Sequence, residues 1–261
     1  MNRVDHRPLM PFLSLDSDLW ELFHENSKIT EFSNFPPNEY VIKEMEDIYD
    51  VLPYHGFPSF SLPTDVDEHW QEIERVFRNR RSKRSFTDEA IDLRRLSFIL
   101  RSAYGVTLPK EETGSPRAFR SIPSAGGLYP LEIYAFINRC NALESGLYHF
   151  SPSQNSIEHL RKDISHDEIC NIVSQSDVIE GASVIIFVTA LFERSTFKYG
   201  NRGYRFALIE AGHLGQNVNL AAQAVDLGSV NIGGFRDHLA DRALDLNGIT
   251  HSTIYMIAVG S

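Results

Sequence analysis

Apolar and polar positions along this 261-residue chain divide it into two regimes, an irregular first quarter and a strongly periodic remainder. Within the first, only Asp16–Ser27 has helical spacing, with Leu19, Trp20, Leu22 and Phe23 recurring on one side and Asp16 or Ser17 available as N-cap. Pro36, Pro37, Pro53, Pro58 and Pro63 then interrupt every periodicity up to residue 70. The aromatic residues of that tract, Phe32, Phe35, Tyr40, Tyr49, Tyr54, Phe57 and Phe60, argue against a disordered tail. They favour a segment that wraps along a surface or reaches a neighbouring subunit. Beyond it, His69–Asn79 reads as a helix. So does Thr87–Tyr104, with Leu93, Leu96, Leu100 and Ala103 on one face and Gly105 as its stop. Leu131–Asn138 has strand composition, as does the pair Gly146–Phe150 and Ser156–Leu160 around Pro152. Val184–Leu191 is almost wholly apolar, as expected of a strand covered on both faces. A long helix spans Tyr204–Val225 with the stripe Leu208, Ala211, Gly215, Val218, Ala222 and Val225; several members are small, which suits either an internal helix or one facing a second subunit. Ser229–Phe235 is a strand ending in Gly233–Gly234, and Thr253–Val259 closes the chain.

Two loops fit none of these patterns. Pro123–Pro130 (PSAGGLYP) sets rigid ends around small residues, so its backbone can approach a flat ligand closely, though turn geometry alone would also explain it. Phe197–Arg205 (FKYGNRGYR) places Lys198 beside Tyr199, two side chains that handle protons. Neighbours on a strand point to opposite faces, and Gly200 and Gly203 oppose a continuous helix, so an irregular segment is expected here. A polar turn ahead of a helix is the plain alternative.

Charge refines this picture. The net charge of −10 opposes nucleic-acid binding through the surface as a whole. Arg75, Arg78, Arg80, Arg81, Lys83 and Arg84 depart from that balance. The forked arginine donors beside the Ser82 hydroxyl suit a phosphate, while a solvated charged face is the bland reading. A hydrophobic content of 42% fits a globular protein. No window has the apolar length of a membrane span, and Met1–Met10 is too polar for a signal peptide, so a cytoplasmic address is expected. Cys140 and Cys170 lack metal-ligand spacing and read as free thiols. The histidines form no metal-ligand pair beside a carboxylate, and no phosphate loop, dinucleotide fingerprint, zinc-protease or serine-hydrolase motif occurs.

Arg81-Ser82-Lys83-Arg84-Ser85-Phe86 resembles the RSxRxF phosphate motif of the flavin-dependent nitroreductase superfamily. Pro123–Pro130 is similar to the PSxGxLYP flavin loop of its SagB-type dehydrogenases, the azoline oxidases. Phe197-Lys198-Tyr199 followed by Arg202-Gly203-Tyr204-Arg205 resembles their Lys-Tyr signature, and Leu22–Ser27 resembles a segment found ahead of their core. The resemblance implies an α+β nitroreductase-like fold, with a central mixed sheet flanked by helices, in an interlocked homodimer that holds FMN between subunits. Residues 1–70 would be an N-terminal extension and 71–261 the FMN-binding domain. Arg81, Ser82 and Arg84 would hold the phosphate, Pro123, Ser124 and Gly126 would line the flavin, and Gly233 or Gly234 would offer a backbone N–H near N5. Members of the superfamily often add a basic residue near the C-terminus. Gly260-Ser261 carries none, so Arg80 joins the phosphate candidates.

In chemical terms the resemblance implies oxidation of thiazoline or oxazoline rings in a modified precursor peptide or another azoline-bearing substrate, with a cyclodehydratase complex as a candidate partner. The α-hydrogen of such a ring is acidic, and its removal needs a base; Lys198 or Tyr199 would serve once its pKa is lowered by burial or a neighbouring cation. Two alternatives use the same chain differently. An NAD(P)H-dependent nitro or quinone reductase would need the flavin site without the Lys-Tyr pair, and a non-enzymatic binding or scaffold protein would purify colourless.

Overall fold

The Val184–Leu191 run lies at the centre of the molecule because seven of its eight residues are buried, which leaves neither face for solvent. A computed structural model describes residues 19–47, 51 and 55–261. In chain order its helices are α1 (Leu19–Ser27), α2 (Asn38–Asp47), α3 (Gln71–Asn79), α4 (Leu93–Tyr104), α5 (Lys110–Thr113), α6 (His166–Ile172), α7 (Glu193–Tyr199), α8 (Asn201–Ala224) and α9 (Asp237–Ala243). The strands are β1 (Val106–Leu108), β2 (Phe119–Arg120), β3 (Leu131–Ile137), β4 (Gly146–Ser151), β5 (Ser156–Arg161), β6 (Val184–Leu191), β7 (Gly228–Ile232) and β8 (His251–Gly260). Met1–Met10, the cap candidates Asp16 and Ser17, and Tyr49, Pro53 and Tyr54 lie outside the described residues.

Strands β5-β4-β3-β6-β8-β7 form one sheet, helices cover both faces, and β1 pairs with β2 apart from it. The α+β class expected from the sequence is therefore what forms. The expected mixed sheet is not: all five pairings are antiparallel. Parallel pairing among the described residues is confined to isolated bridges, of which Ser82–Ser229 lies against β7. On one face Ile133, Ala135, Val184, Ile186 and Val188 pack under α4 and α8; on the other Phe136, Ile185, Phe187, Val230 and Met256 pack under α6 and α9. Each large side chain buried in this way contributes about 1.5–3 kcal/mol.

The helix expected from Thr87 begins only at Leu93. Its N-cap is Asp92, whose carboxylate accepts the Arg95 N–H at 2.9 Å. The intervening residues are a tether: Thr87 N–H bonds the Ser261 carbonyl, Asp88 is left-handed with φ 61°, and Ile91 N–H bonds the Arg139 carbonyl. Leu93, placed by periodicity on the apolar face, is exposed, whereas Leu96, Leu100 and Ala103 are buried as expected.

Helix α1 packs against the rest of the subunit. Trp20 and His24 are buried beside Phe192 and Tyr204, with ring centroids 5.0–5.9 Å apart. Leu19, Leu22 and Phe23 of the same helix face outward. Beyond Ile29 the described residues of the tract that follows are largely exposed: every described side chain of α2 is exposed, and Phe32 and Phe60 are 82% and 86% exposed.

Candidate active site

The Pro123–Pro130 loop turns sharply on Gly126 (φ 63°) and on left-handed Tyr129 (φ 48°). Two hydrogen bonds to side chains help to hold it: Tyr129 N–H to Ser124 Oγ at 2.9 Å, and Arg120 N–H to Tyr129 Oη at 2.9 Å. Opposite it stands α7. The sequence called for an irregular segment at Lys198 and Tyr199, but they form the last turn of this helix, and the irregularity comes one residue later at Gly200 (φ 55°, ψ −142°). That left-handed residue, which only glycine adopts cheaply in this setting, ends α7 and lets α8 start at Asn201, three residues before the expected Tyr204. Gly203 lies within α8 and makes room for the Ser195 backbone.

Loop and pair meet at Gly126. A Cβ there would lie 2.6 Å from Tyr199 Oη and 2.8 Å from Lys198 Nζ. The Lys198 ammonium is itself 5.0 Å from the Tyr199 ring centroid, and Phe206 meets that ring edge-on at 5.0 Å. Lys198 is exposed and Tyr199 half-buried, so of the two influences expected on the pair, burial or a neighbouring cation, the chain by itself offers chiefly the second.

Beneath the loop lies a polar network that the sequence reading missed. Tyr104 Oη donates to Glu210 at 2.8 Å and accepts the Leu131 N–H at 3.2 Å. Arg120 stacks 4.1 Å from the centre of the Tyr104 ring and 4.9 Å from that of Tyr129. Burial lifts the Glu210 carboxyl to about 6, against the hydrogen bonds from Ser124 and Tyr104 and the charge of Arg120. A glutamate among the buried, mostly apolar positions of α8 was the signal: it stands one residue before Ala211 of the stripe.

The basic cluster belongs to a second group. Arg81 Nη1 donates to the carbonyls of Arg78 and Arg80, at 2.7 and 2.8 Å, where α3 ends. Ser82 bridges to Ser229, and Lys83 N–H donates to the Ser229 carbonyl at 3.0 Å. Among the described residues no carboxylate pairs with Arg80, Arg81, Lys83 or Arg84. At the other end of β7 come Gly233 and Gly234, about 13 Å along the strand from Ser229 at 3.3 Å per residue. A Cβ at Gly233 would meet no atom within 4 Å, so the backbone there borders open space. Between them the Asn231 Oδ1 is buried without a partner. Unpaired cations at one end of a strand, bare backbone at the other and an orphaned acceptor between them suit a long ligand with an anionic terminus.

Among the described residues no hydrogen bond, ion pair or ring contact joins this second group to the loop and the Lys-Tyr pair. Of the stripe on α8, Ala211, Gly215, Val218 and Ala222 are buried within the chain itself, and a Cβ at Gly215 would come 3.0 Å from the Tyr255 ring, while Leu208 faces outward. The sharper reading, in which Ala211, Gly215 and Ala222 pack against a second subunit, is thereby overturned. Outward-facing apolar residues of α8 are Leu208 and Ile209.

The nitroreductase family profile matches residues 77–261. This chain belongs to that family. It is thus an oxidoreductase of a flavin-using family, and its antiparallel sheet under two helical layers is that family's fold. A protein of Methanocaldococcus jannaschii named "Putative nitroreductase MJ1384" is 36% identical over 174 residues, covering 67% of this chain and 83% of its own length. The microcin B17-processing protein McbC of Escherichia coli is 27% identical over 173 residues, which cover 60% of this chain and 57% of that protein. Among solved structures, a chain of the E. coli microcin synthetase McbBCD complex with truncated pro-MccB17 bound superposes with TM-score 0.70 at 22% identity, covering 93% of this chain and 91% of that one. No helix among the described residues is long and apolar enough to cross a membrane.

Proposed function

We propose that this protein is an FMN-dependent azoline dehydrogenase that converts thiazoline or oxazoline rings of a modified peptide to the aromatic azoles. The observation that carries the proposal is the contact at Gly126, where a lysine and a tyrosine that can handle a proton lie directly against the PSAGGLYP loop. In this reading Arg80, Arg81, Ser82 and Arg84 hold the phosphate, Pro123, Ser124 and Gly126 line the ring, and Gly233 or Gly234 presents backbone beside it. The unpaired arginines, the open space at Gly233 and the orphaned Asn231 acceptor support that assignment. FMN, when bound, supplies the acceptor for the hydride that the azoline β-carbon gives up. The protein's own share is the proton. Lys198 or Tyr199 takes the α-hydrogen that the carbonyl and ring imine acidify, and the partner of the pair holds it in place or tunes it.

Assembly follows from the division of the residues into two groups. A homodimer lets one subunit's basic cluster and β7 face the other's loop and Lys-Tyr pair, and it buries Lys198, which a single subunit leaves exposed. Residues 1–70 are then an N-terminal extension, whose α1 packs on its own chain and whose exposed tract beyond it wraps along a surface or reaches the second subunit, and 71–261 the flavin domain, in a cytoplasmic protein. The 27% identity to a microcin-processing protein supports a peptide substrate and a cyclodehydratase partner. A second reading, NAD(P)H-dependent nitro or quinone reduction, draws on the relative named for that activity.

Lys198→Ala and Tyr199→Phe distinguish the two. Both variants should fold and keep a yellow flavin spectrum, while azoline-peptide oxidation falls about 10²–10⁴-fold, the usual worth of a positioned base. NADH-driven reduction of a quinone at the parental rate, with no azoline oxidation by the parent protein, would reverse the preference.

A further inference from the structure

Helix α7 is seven residues long, too short to hold its shape or direction alone. What fixes it decides where Lys198 and Tyr199 point. Its buried N-terminal neighbour Phe192 and its buried Ser195 seat one side. The other side is held by a charge chain that crosses the sheet. Arg194 Nη1 donates to Glu132 Oε1 on β3 at 2.5 Å; Glu132 Oε2 accepts from His149 Nε2 on β4 at 2.9 Å; His149 Nδ1 bonds Glu158 Oε2 on β5 at 3.0 Å. Ser156 Oγ donates to the remaining Glu158 oxygen at 3.1 Å. Arg194 and Lys198 are four residues apart and share a face of α7, so the anchor that fixes one sets the direction of the other.

We propose that Arg194, Glu132 and His149 are positioning residues for Lys198 and Tyr199, and that protonated His149 is the clip that keeps α7 docked on the sheet. The role given to Lys198 and Tyr199 rests on the function proposed above; the docking of α7 does not. Both ring nitrogens of His149 face carboxylates, which only accept, and a neutral imidazole has a single N–H, so both bonds exist only in the imidazolium. Two carboxylates, one imidazolium and one guanidinium then balance. The hydrogen bond with Glu132 raises the His149 pKa above its ordinary 6.5, burial opposes it, and Glu158 adds to the rise. Burial pushes the Glu132 carboxyl up, but the bond from His149 and the charge and bond of Arg194 outweigh it and hold it at about 2.

The other groups around His149 bring no competing charge. Tyr134 of β3, whose ring lies 5.1 Å away, is pushed up by burial and stays neutral. His251 of β8 is lowered to about 4, mainly by burial, and bonds Thr189 Oγ1 at 2.8 Å as a neutral ring. The sign follows. His149 binds its proton more tightly folded than unfolded, so its contribution is complete below pH 6.5 and is lost as pH rises through the raised folded value.

Hydrogen exchange of the α7 backbone amides in the full chain, normalised for intrinsic exchange and followed from pH 5.5 to 9, tests the clip without reference to turnover. In the parent, α7 protection should drop about tenfold as His149 titrates, the scale expected for a hydrogen bond to a charged group. His149→Gln can still donate to Glu132 but cannot titrate, so its profile should be flat. Glu132→Gln should lower protection at every pH, and Arg194→Lys should restore most of what Arg194→Met loses. Parental, pH-dependent α7 protection in both His149→Gln and Glu132→Gln would overturn the proposal. Azoline oxidation measured alongside separates the two layers. If α7 protection follows His149 while Lys198→Ala leaves turnover intact, the clip stands and the catalytic reading of the pair falls.

Discussion

Glu210 shows how much a single buried residue can say. It is 2% exposed, accepts from Tyr104, and has its carboxyl raised to about 6 chiefly by burial. A carboxyl whose folded pKa exceeds its unfolded value of about 4.5 stabilises the fold below that value, and the contribution is lost as pH rises through 6. A rise of about 1.5 units corresponds to about 2 kcal/mol. Glu210→Gln keeps an acceptor for Tyr104 and removes the titration. The variant should match the parent near pH 4.5 and exceed its stability by up to about 2 kcal/mol at pH 8, read from urea midpoints at both pH values. Equal pH dependence in the two proteins would show that Glu210 is solvated. Sequence pattern could not show this residue's partners. Gly126 was legible as a close approach because glycine between small residues has few other uses, but that the approach was to Lys198 and Tyr199 depended on the fold.

At the scale of elements, what the sequence disclosed was whatever its periodicity enforces. β3, the β4–β5 hairpin, β6 and β8 were legible within a few residues because each needs an uninterrupted or alternating apolar run to fill a sheet covered on both faces. The tether at 87–92 was read as helix because its charged and apolar residues continue the spacing of α4; the Asp92 cap, the left-handed Asp88 and the bond to the Ser261 carbonyl override that spacing. The short helices α5, α6 and α9 span too few turns to declare themselves, and α2 lies in the tract whose prolines interrupt its periodicity. The small residues of α8 were visible and their direction was not: close approach to a second subunit and close approach to one's own sheet demand the same residues. Gly215 separates them. With its Cβ position 3.0 Å from the Tyr255 ring, Gly215→Leu must overpack the subunit's own core, at a cost of about 1–3 kcal/mol. Its urea midpoint should therefore fall at any protein concentration. A variant as stable as the parent would return the stripe to the outer surface.

For the whole molecule, the question is what covers the surface that one subunit leaves apolar. Leu208 and Ile209 on α8 are 38% and 55% exposed and Phe197 of the adjoining α7 is 54% exposed, while at the far end of α8 the exposed Ile73 of α3 lies near Ala224. Apolar residues gathered on neighbouring helices mark an interaction surface more often than a free one. The two groups of candidate site residues, which no bond joins within a subunit, give that surface a reason: a second copy can bring a basic cluster to the Lys-Tyr pair. Like charges introduced across a two-fold axis meet their own copies, so Leu208→Glu with Ile209→Glu should oppose association twice over while leaving the buried side of α8 untouched. Light scattering should report a dimer for the parent and a monomer for the double variant, and the monomer should lose its flavin colour. A double variant that remains dimeric would move the interface to another surface, and a monomer that keeps its flavin would show that one subunit holds the complete site.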